Sequence, residues 1–282
     1  MKSENSNGNI LNIAAYQFLP LRKKRKLEVI RRSLKNLCLE LDIKGTILLS
    51  FEGFNLNLAG KHHSILEFQK EFSQSIGIAE IKYKQSWSKT RPFTRMLVKI
   101  KKEIIPLGDK NINPLKITGK RLPPKEFKKW LDEKKEITIL DTRNEFEIKI
   151  GKFKGAKSLG LKSFREFCQK SKSLPSDLKQ KPMVMYCTGG IRCEKASSFF
   201  LNNLGFKNVF QLEGGILDYF EQCGDAHFEG ECFVFDKRVG LDSNLKETQT
   251  CQCYNCRAVL TINEINHPQY KPPHSCPQCH PT

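Results

Sequence analysis

The run Met183-Val184-Met185-Tyr186 is short and apolar, and it passes directly into Cys187-Thr188-Gly189-Gly190-Ile191-Arg192 and a helix-like stretch over 193–203. A buried strand, a glycine-bearing loop and a helix, in that order, form the repeating unit of a parallel sheet covered by helices. The same order places the chemistry. The loop leaves the carboxyl end of a strand, where backbone N–H groups and the positive end of a helix dipole converge on one sulfur. Such surroundings favour the thiolate of Cys187 over the thiol. A cysteine that only packed at a strand end would need neither two adjacent glycines nor an arginine just after them.

Further segments alternate in the same way: strands over 137–141 and 209–212, and a helix over 163–170. The Cys187 to Arg192 loop resembles the active-site loop of the rhodanese-like family, in which the cysteine carries sulfur as a persulfide. Ile137 to Arg143, Glu145-Phe146-Glu147 and Gly151 to Ala156 are similar to the opening of those domains. Asn208 to Ile216 is similar to their closing strand and double-glycine turn, although Tyr219 or Phe220 stands where a tryptophan is usual. The resemblance implies that Cys187 and Arg192 are catalytic, with Arg192 as a cation at the rim and Thr188, Gly189, Gly190 and Ile191 forming the anion-binding loop. Asp141 and Arg143 read as supporting residues that pair with each other or with backbone. Six residues from Cys to Arg suit a sulfane sulfur; the related phosphate-binding loop is one residue longer.

Residues 1–103 read as a separate α+β domain. A strand over 10–19 is followed by Leu27, Ile30, Leu34, Leu37 and Leu41 at helical spacing, strands over 45–50 and 55–58, a helix over 62–76 and a strand over 80–84. This strand-helix-strand-strand-helix-strand order is the ferredoxin-like (acylphosphatase-like) layout, used by many RNA-binding modules. Residues 104–124, with four prolines, read as a linker, 125–227 as the rhodanese-like domain and 228–282 as a cysteine-rich tail.

The chain carries 48 Lys and Arg against 30 Asp and Glu, a formal charge of +18, which favours a polyanionic partner. Arg22, Lys23, Lys24, Arg25 and Lys26, together with Arg91 and Arg95 near Trp87 and Phe93, are the candidate RNA contacts. Eleven cysteines and a polar start without an apolar signal segment point to reduced thiols in the cytoplasm, and no apolar run reaches membrane-spanning length. In the tail, Cys253-x-x-Cys256 and Cys276-x-x-Cys279 are separated by nineteen residues, the spacing of a four-thiolate zinc site, with Cys251, His274 and His280 as competing ligands.

Over roughly residues 10–280 the chain is similar to the rhodanese-containing tRNA uridine hydroxylases, through Gly45 to Asn55, Cys187 to Lys195 and Gly230 to Val239. The resemblance implies oxygen-dependent hydroxylation of the wobble uridine (U34) at C5, with molecular oxygen as co-substrate, the tRNA anticodon region as partner and the cysteine at Cys187 as active-site residue. The residues alone supply no iron triad, dinucleotide fingerprint or haem-attachment pair. A rhodanese-type sulfurtransferase is the alternative enzyme, and a tRNA-binding adaptor the non-enzymatic one.

Overall fold

The structure, a computed structural model, describes residues 9–21, 24–109 and 111–280, except for the side chains of Lys24 and Arg25. Two compact units divide the chain, Met1–Pro106 and Leu107–Thr282. Among the described residues no helix is long and apolar enough to cross a membrane, and no disulfide joins any of the eleven cysteines.

The first unit runs β1 (Ile10–Phe18), α1 (Lys24–Glu40), β2 (Lys44–Ser50), β3 (Gly53–Gly60), α2 (His62–Ile76), β4 (Lys84–Ser88) and β5 (Met96–Ile100). The first four strands lie in the order β4-β1-β3-β2 with antiparallel pairing, and β5 extends the sheet parallel to β2. This is the ferredoxin-like arrangement with one strand added. In α1, Leu27, Ile30, Leu34 and Cys38 recur on one face and are buried, so Cys38 takes the core position beside half-buried Leu37 and Leu41. α2 buries Ile65, Phe68, Phe72 and Ile76 and stops at Gly77, whose φ of 77° lets its N–H reach the carbonyl of Ser73 at 2.9 Å.

One strand differs from the sequence expectation. The fourth lies at Lys84–Ser88 and not over 80–84, because Ile81 and Tyr83 pack against the core without joining a ladder, whereas Ser88 to Lys84 pair with Ile10 to Ala14. Trp87 is half-buried against the same core, with the His62 ring 5.6 Å away, so its ring is committed to packing.

The second unit begins with β6 (Lys120–Leu122), α3 (Pro124–Asp132), β7 (Thr138–Asp141), α4 (Glu145–Ile148), β8 (Gly151–Phe153) and β9 (Lys157–Ser158). It continues through α5 (Phe167–Ser171), β10 (Met183–Tyr186), α6 (Ile191–Asn203), β11 (Val209–Leu212) and α7 (Gly215–Cys223). A wholly parallel sheet, β6-β11-β10-β7-β9, places β10 at its centre. Both β7 and β10 are buried along their whole length, as a strand covered on two faces must be. Lys120–Leu122, inside the stretch read as a linker, is one of the sheet's two edge strands, and Ile104, Leu107 and Ile112 are buried. The helix expected over 163–170 is a 3₁₀ turn, Phe164–Glu166, followed by α5.

Beyond α7 come β12 (Phe228–Gly230), β13 (Cys232–Phe233), β14 (Gly240–Leu241), β15 (Cys251–Gln252), β16 (Val259–Leu260) and α8 (Ile262–Ile265). The cysteine-rich end belongs to the same unit as the parallel sheet, since β12 pairs with β8 and Lys149 donates to the carbonyl of Val259 at 2.8 Å.

Candidate active site and candidate metal centre

β10 delivers Cys187 at its carboxyl end, in the middle of the sheet. Gly190, with φ of 99°, turns the chain into α6, and its N–H points back at the Cys187 sulfur, 3.1 Å away. A second helix fixes the loop from the other side. In the first turn of α7, the N–H of Ile216 donates to the Cys187 carbonyl at 3.0 Å and that of Leu217 to the Thr188 carbonyl at 3.1 Å. Gly215 permits this approach: its φ is 68°, and a Cβ there would stand 2.4 Å from the Cys187 carbonyl oxygen. The double glycine of the sequence is therefore a docking turn for the active loop.

Burial alone would push the Cys187 thiol up. The Cys193 thiol as hydrogen-bond partner, the charge of Arg192 and the N–H groups of Arg192 and Gly190 outweigh it, bringing the group down to about 5. Cys193 is the complementary partner: burial and the bond to the Cys187 sulfur push it well up, so it keeps its proton, and the Thr142 hydroxyl lies 3.7 Å from its sulfur. A third buried thiol, Cys232, is pushed up to about 12 by burial.

Arg192 does not stand at the rim. Its side chain is 6 % exposed, and Nη1 and Nη2 donate to the two carboxylate oxygens of Glu147 at 2.6 and 2.7 Å. Burial works against its charge, but Glu147 more than compensates, and the guanidinium stays charged. Arg192 thus acts on Cys187 as a fixed buried cation whose fork is already engaged, not as a free arm. Asp141 and Arg143 pair with each other at 2.7 Å, and Arg143 also donates to the Gly151 carbonyl at 2.6 Å, all of it buried. Glu147 and Cys193 were not singled out from the sequence. The one available signal for Cys193 was its place directly after Arg192, while that for Glu147 was its place in a capping box on a one-turn helix.

The candidate RNA contacts are described only in part. Arg22 and Lys23 lie outside the described residues, as do the side chains of Lys24 and Arg25. Lys26 and Arg95 are exposed, and Arg91 is engaged by the Asp42 carboxylate at 2.7 and 3.1 Å.

In the cysteine-rich end, the sulfurs of Cys253, Cys256, Cys276 and Cys279 all lie within 4.8 Å of one another. Three of the separations are 3.9, 3.7 and 3.7 Å, against about 3.8 Å for the edge of a tetrahedron with zinc–sulfur bonds of about 2.3 Å. The cluster could hold a metal ion, and its donor set fits zinc. Cys251 falls outside the cluster, with its sulfur 3.6 Å from the Tyr270 hydroxyl, as do His274 and His280.

Residues 10–104 match the UPF0176 acylphosphatase-like domain and residues 123–222 the rhodanese-like domain. A protein of Cupriavidus pinatubonensis named tRNA uridine(34) hydroxylase is 41 % identical over 275 residues, covering 96 % of each chain. Proteins of the same name from Ralstonia nicotianae and Paraburkholderia xenovorans are 40 % identical, over 96 % of each chain, and 39 % identical, over 97 %. With a shared domain order and identity of this level along nearly its whole length, the chain belongs to the tRNA uridine(34) hydroxylase family, an enzyme family of the oxidoreductase class.

Proposed function

We propose that this enzyme acts in the cytoplasm on the anticodon region of tRNA and hydroxylates the wobble uridine at C5 to 5-hydroxyuridine, with molecular oxygen as co-substrate and Cys187 as its reactive sulfur. The observation that carries the reading is a buried cysteine faced by the Cys193 thiol, a buried cation and loop N–H groups, which favour its thiolate, within a chain matching hydroxylases over 96 % of its length. Addition of the thiolate to C6 of uracil would make C5 electron-rich; once C5 has bonded to oxygen, loss of the C5 proton and of the C6–S bond restores the ring. The net change of C–H to C–OH with one dioxygen also forms water and takes two electrons and two protons from an outside reductant. Loop N–H groups would stabilise the charge developing on O4. The positively charged chain, with Lys26 and Arg95 exposed, supplies the electrostatic attraction for tRNA. The four-thiolate cluster would hold a structural zinc that ties the tail together and takes no part in the reaction.

Replacing Cys187 by serine, in cells lacking any other route to the modification, is expected to remove 5-hydroxyuridine from wobble positions by mass spectrometry of tRNA nucleosides. Undiminished hydroxylation in that variant overturns the reading.

One observation favours a second reading. Cys187 is only 1 % exposed, and a persulfide would move the reactive sulfur outward by one S–S bond, about 2 Å. On this reading the match to the rhodanese-like domain reflects sulfur transfer to an acceptor. Cyanide-dependent turnover of thiosulfate without nucleoside hydroxylation would establish it.

A further inference from the structure

The segment that follows β12 presents an aromatic ring to solvent beside the active loop. Phe233 and Val234 are buried, yet Phe235, next along the chain, is 62 % exposed. It sits at the tip of the β13–β14 hairpin, which is tied together by backbone and side-chain bonds. The N–H of Val234 donates to the Val239 carbonyl at 2.8 Å, and Arg238 holds Asp236 in a two-pronged contact at 2.9 and 2.6 Å, both side chains 7 % exposed. The ring is braced from behind by edge contacts with Phe233, centroids 5.1 Å apart at 81°, and Phe146, 6.4 Å at 88°.

Two contacts bind this tip to the reactive sulfur's own loop. The Thr188 hydroxyl, on the residue after Cys187, donates to the Phe233 carbonyl at 3.2 Å. The Arg192 guanidinium lies 5.9 Å from the Phe235 ring centroid while its fork is occupied by Glu147. Arg192 therefore braces the ring and is not available to grip a phosphate. An exposed aromatic with braced edges and an open surface is what a base stacks on, and every base offers a π-face. In a chain of net charge +18 the suitable partner is a nucleic acid.

We propose that Phe235 is the stacking platform of the active site: it receives an unpaired pyrimidine turned out of its strand and holds it over the loop that carries Cys187. The proposal rests on the reading that a uridine in RNA is the substrate. It assigns binding and orientation to Phe235 and no bond-making step. A braced platform reduces the ordering that a flexible single-stranded loop must undergo at the site.

The test uses the full-length protein, Phe235→Ala, Phe235→Leu and Phe235→Trp variants, and an anticodon stem–loop RNA with either uridine or an abasic sugar at position 34. Far-ultraviolet circular dichroism and melting temperature verify each variant's fold. Alanine substitution is expected to weaken binding of the uridine RNA by about 5- to 100-fold, the range of one lost base stack, and to leave binding of the abasic RNA unchanged. Tryptophan is expected to restore binding and leucine to fall short. Equal loss for both RNAs, no loss for either, or full rescue by leucine overturns the proposal. So does an effect confined to sulfur uptake from thiosulfate, which would make the hairpin a docking point for a sulfur donor. Failure of the substrate reading itself is distinguishable: the wild-type protein would then hydroxylate neither stem–loop RNA nor tRNA.

Discussion

Two groups of cysteines lie in the second unit, and they are built in opposite ways. Around Cys187 the sulfurs are unequal. One carries charge because N–H groups, a thiol and Arg192 face it, while Cys193 and Cys232 are pushed up and keep their protons. The scaffold is a buried central strand and two helices meeting at one loop. In the tail, four sulfurs lie within 4.8 Å of one another in the turns beside two strands of two residues each, around a small core in which Cys253, Leu260 and Cys276 are the buried members. The contrast teaches that a cysteine's use follows from its neighbours: donors and one cation make a nucleophile, whereas three more thiolates make a ligand set.

The largest effect that tests this contrast is removal of the zinc proposed for the four-thiolate cluster. The protein is expected to carry one zinc per chain by elemental analysis. Chelation, or Cys276→Ser, should then erase hydrogen-exchange protection over 251–280, because so small a core depends on a binding free energy of about 10–16 kcal/mol. Amides of β10 should keep their protection. Loss of protection in β10 as well would break the distinction between a self-supporting site and a metal-dependent one.

A smaller effect sharpens the other half. Cys193→Ala removes a hydrogen-bond partner of the Cys187 sulfur, so the thiol that its neighbours bring down to about 5 is expected to titrate higher. The thiolate exists above the midpoint of that titration, so the ultraviolet thiolate signal assigned by difference from Cys187→Ser should appear at higher pH. A displacement of about one pH unit is expected, about 1.4 kcal/mol and comparable to one hydrogen bond to a charged group. An unmoved titration would mean that Arg192 and the backbone suffice.

These sites were legible in the sequence to different depths. The Cys187 loop was readable because the groups that favour its thiolate are contiguous: strand, glycines, helix start, Arg192 and Cys193 follow one another, whereas the docking by Ile216 and Leu217 is not local. The location of Arg192 was not readable, since what draws it inward is Glu147, forty-five positions away and brought near by folding. In the tail, spacing identified the two Cys-x-x-Cys pairs, but only three-dimensional proximity separates Cys251 from the four. The fourth strand of the first unit was misplaced because Ile81 and Tyr83 are apolar for packing and not for pairing. The edge strand at Lys120–Leu122 was hidden because three residues set no periodicity.

The smallest effect concerns the tie between the two groups. Lys149, on the residue after α4, bonds the Glu264 carboxylate at 2.7 Å and the Val259 carbonyl, linking the tail to the helix that carries Glu147. The Lys149 and Glu264 side chains are 34 % and 23 % exposed, so solvent screens the pair, and Lys149→Met should cost only about 0.5–1 kcal/mol in urea unfolding at neutral pH. Burial pushes the Glu264 carboxyl up, but Lys149, the Thr261 N–H and Gln278 bring it down to about 2. A carboxyl lowered by folding stabilises the fold above its ordinary value of about 4.3 and loses that contribution as pH falls toward about 2. The difference between wild type and Lys149→Met should therefore shrink across that acid range. A constant difference down to the lowest pH would place the effect in lost packing of the lysine stem, and the tail would then be attached by its strand and metal contacts with no electrostatic share.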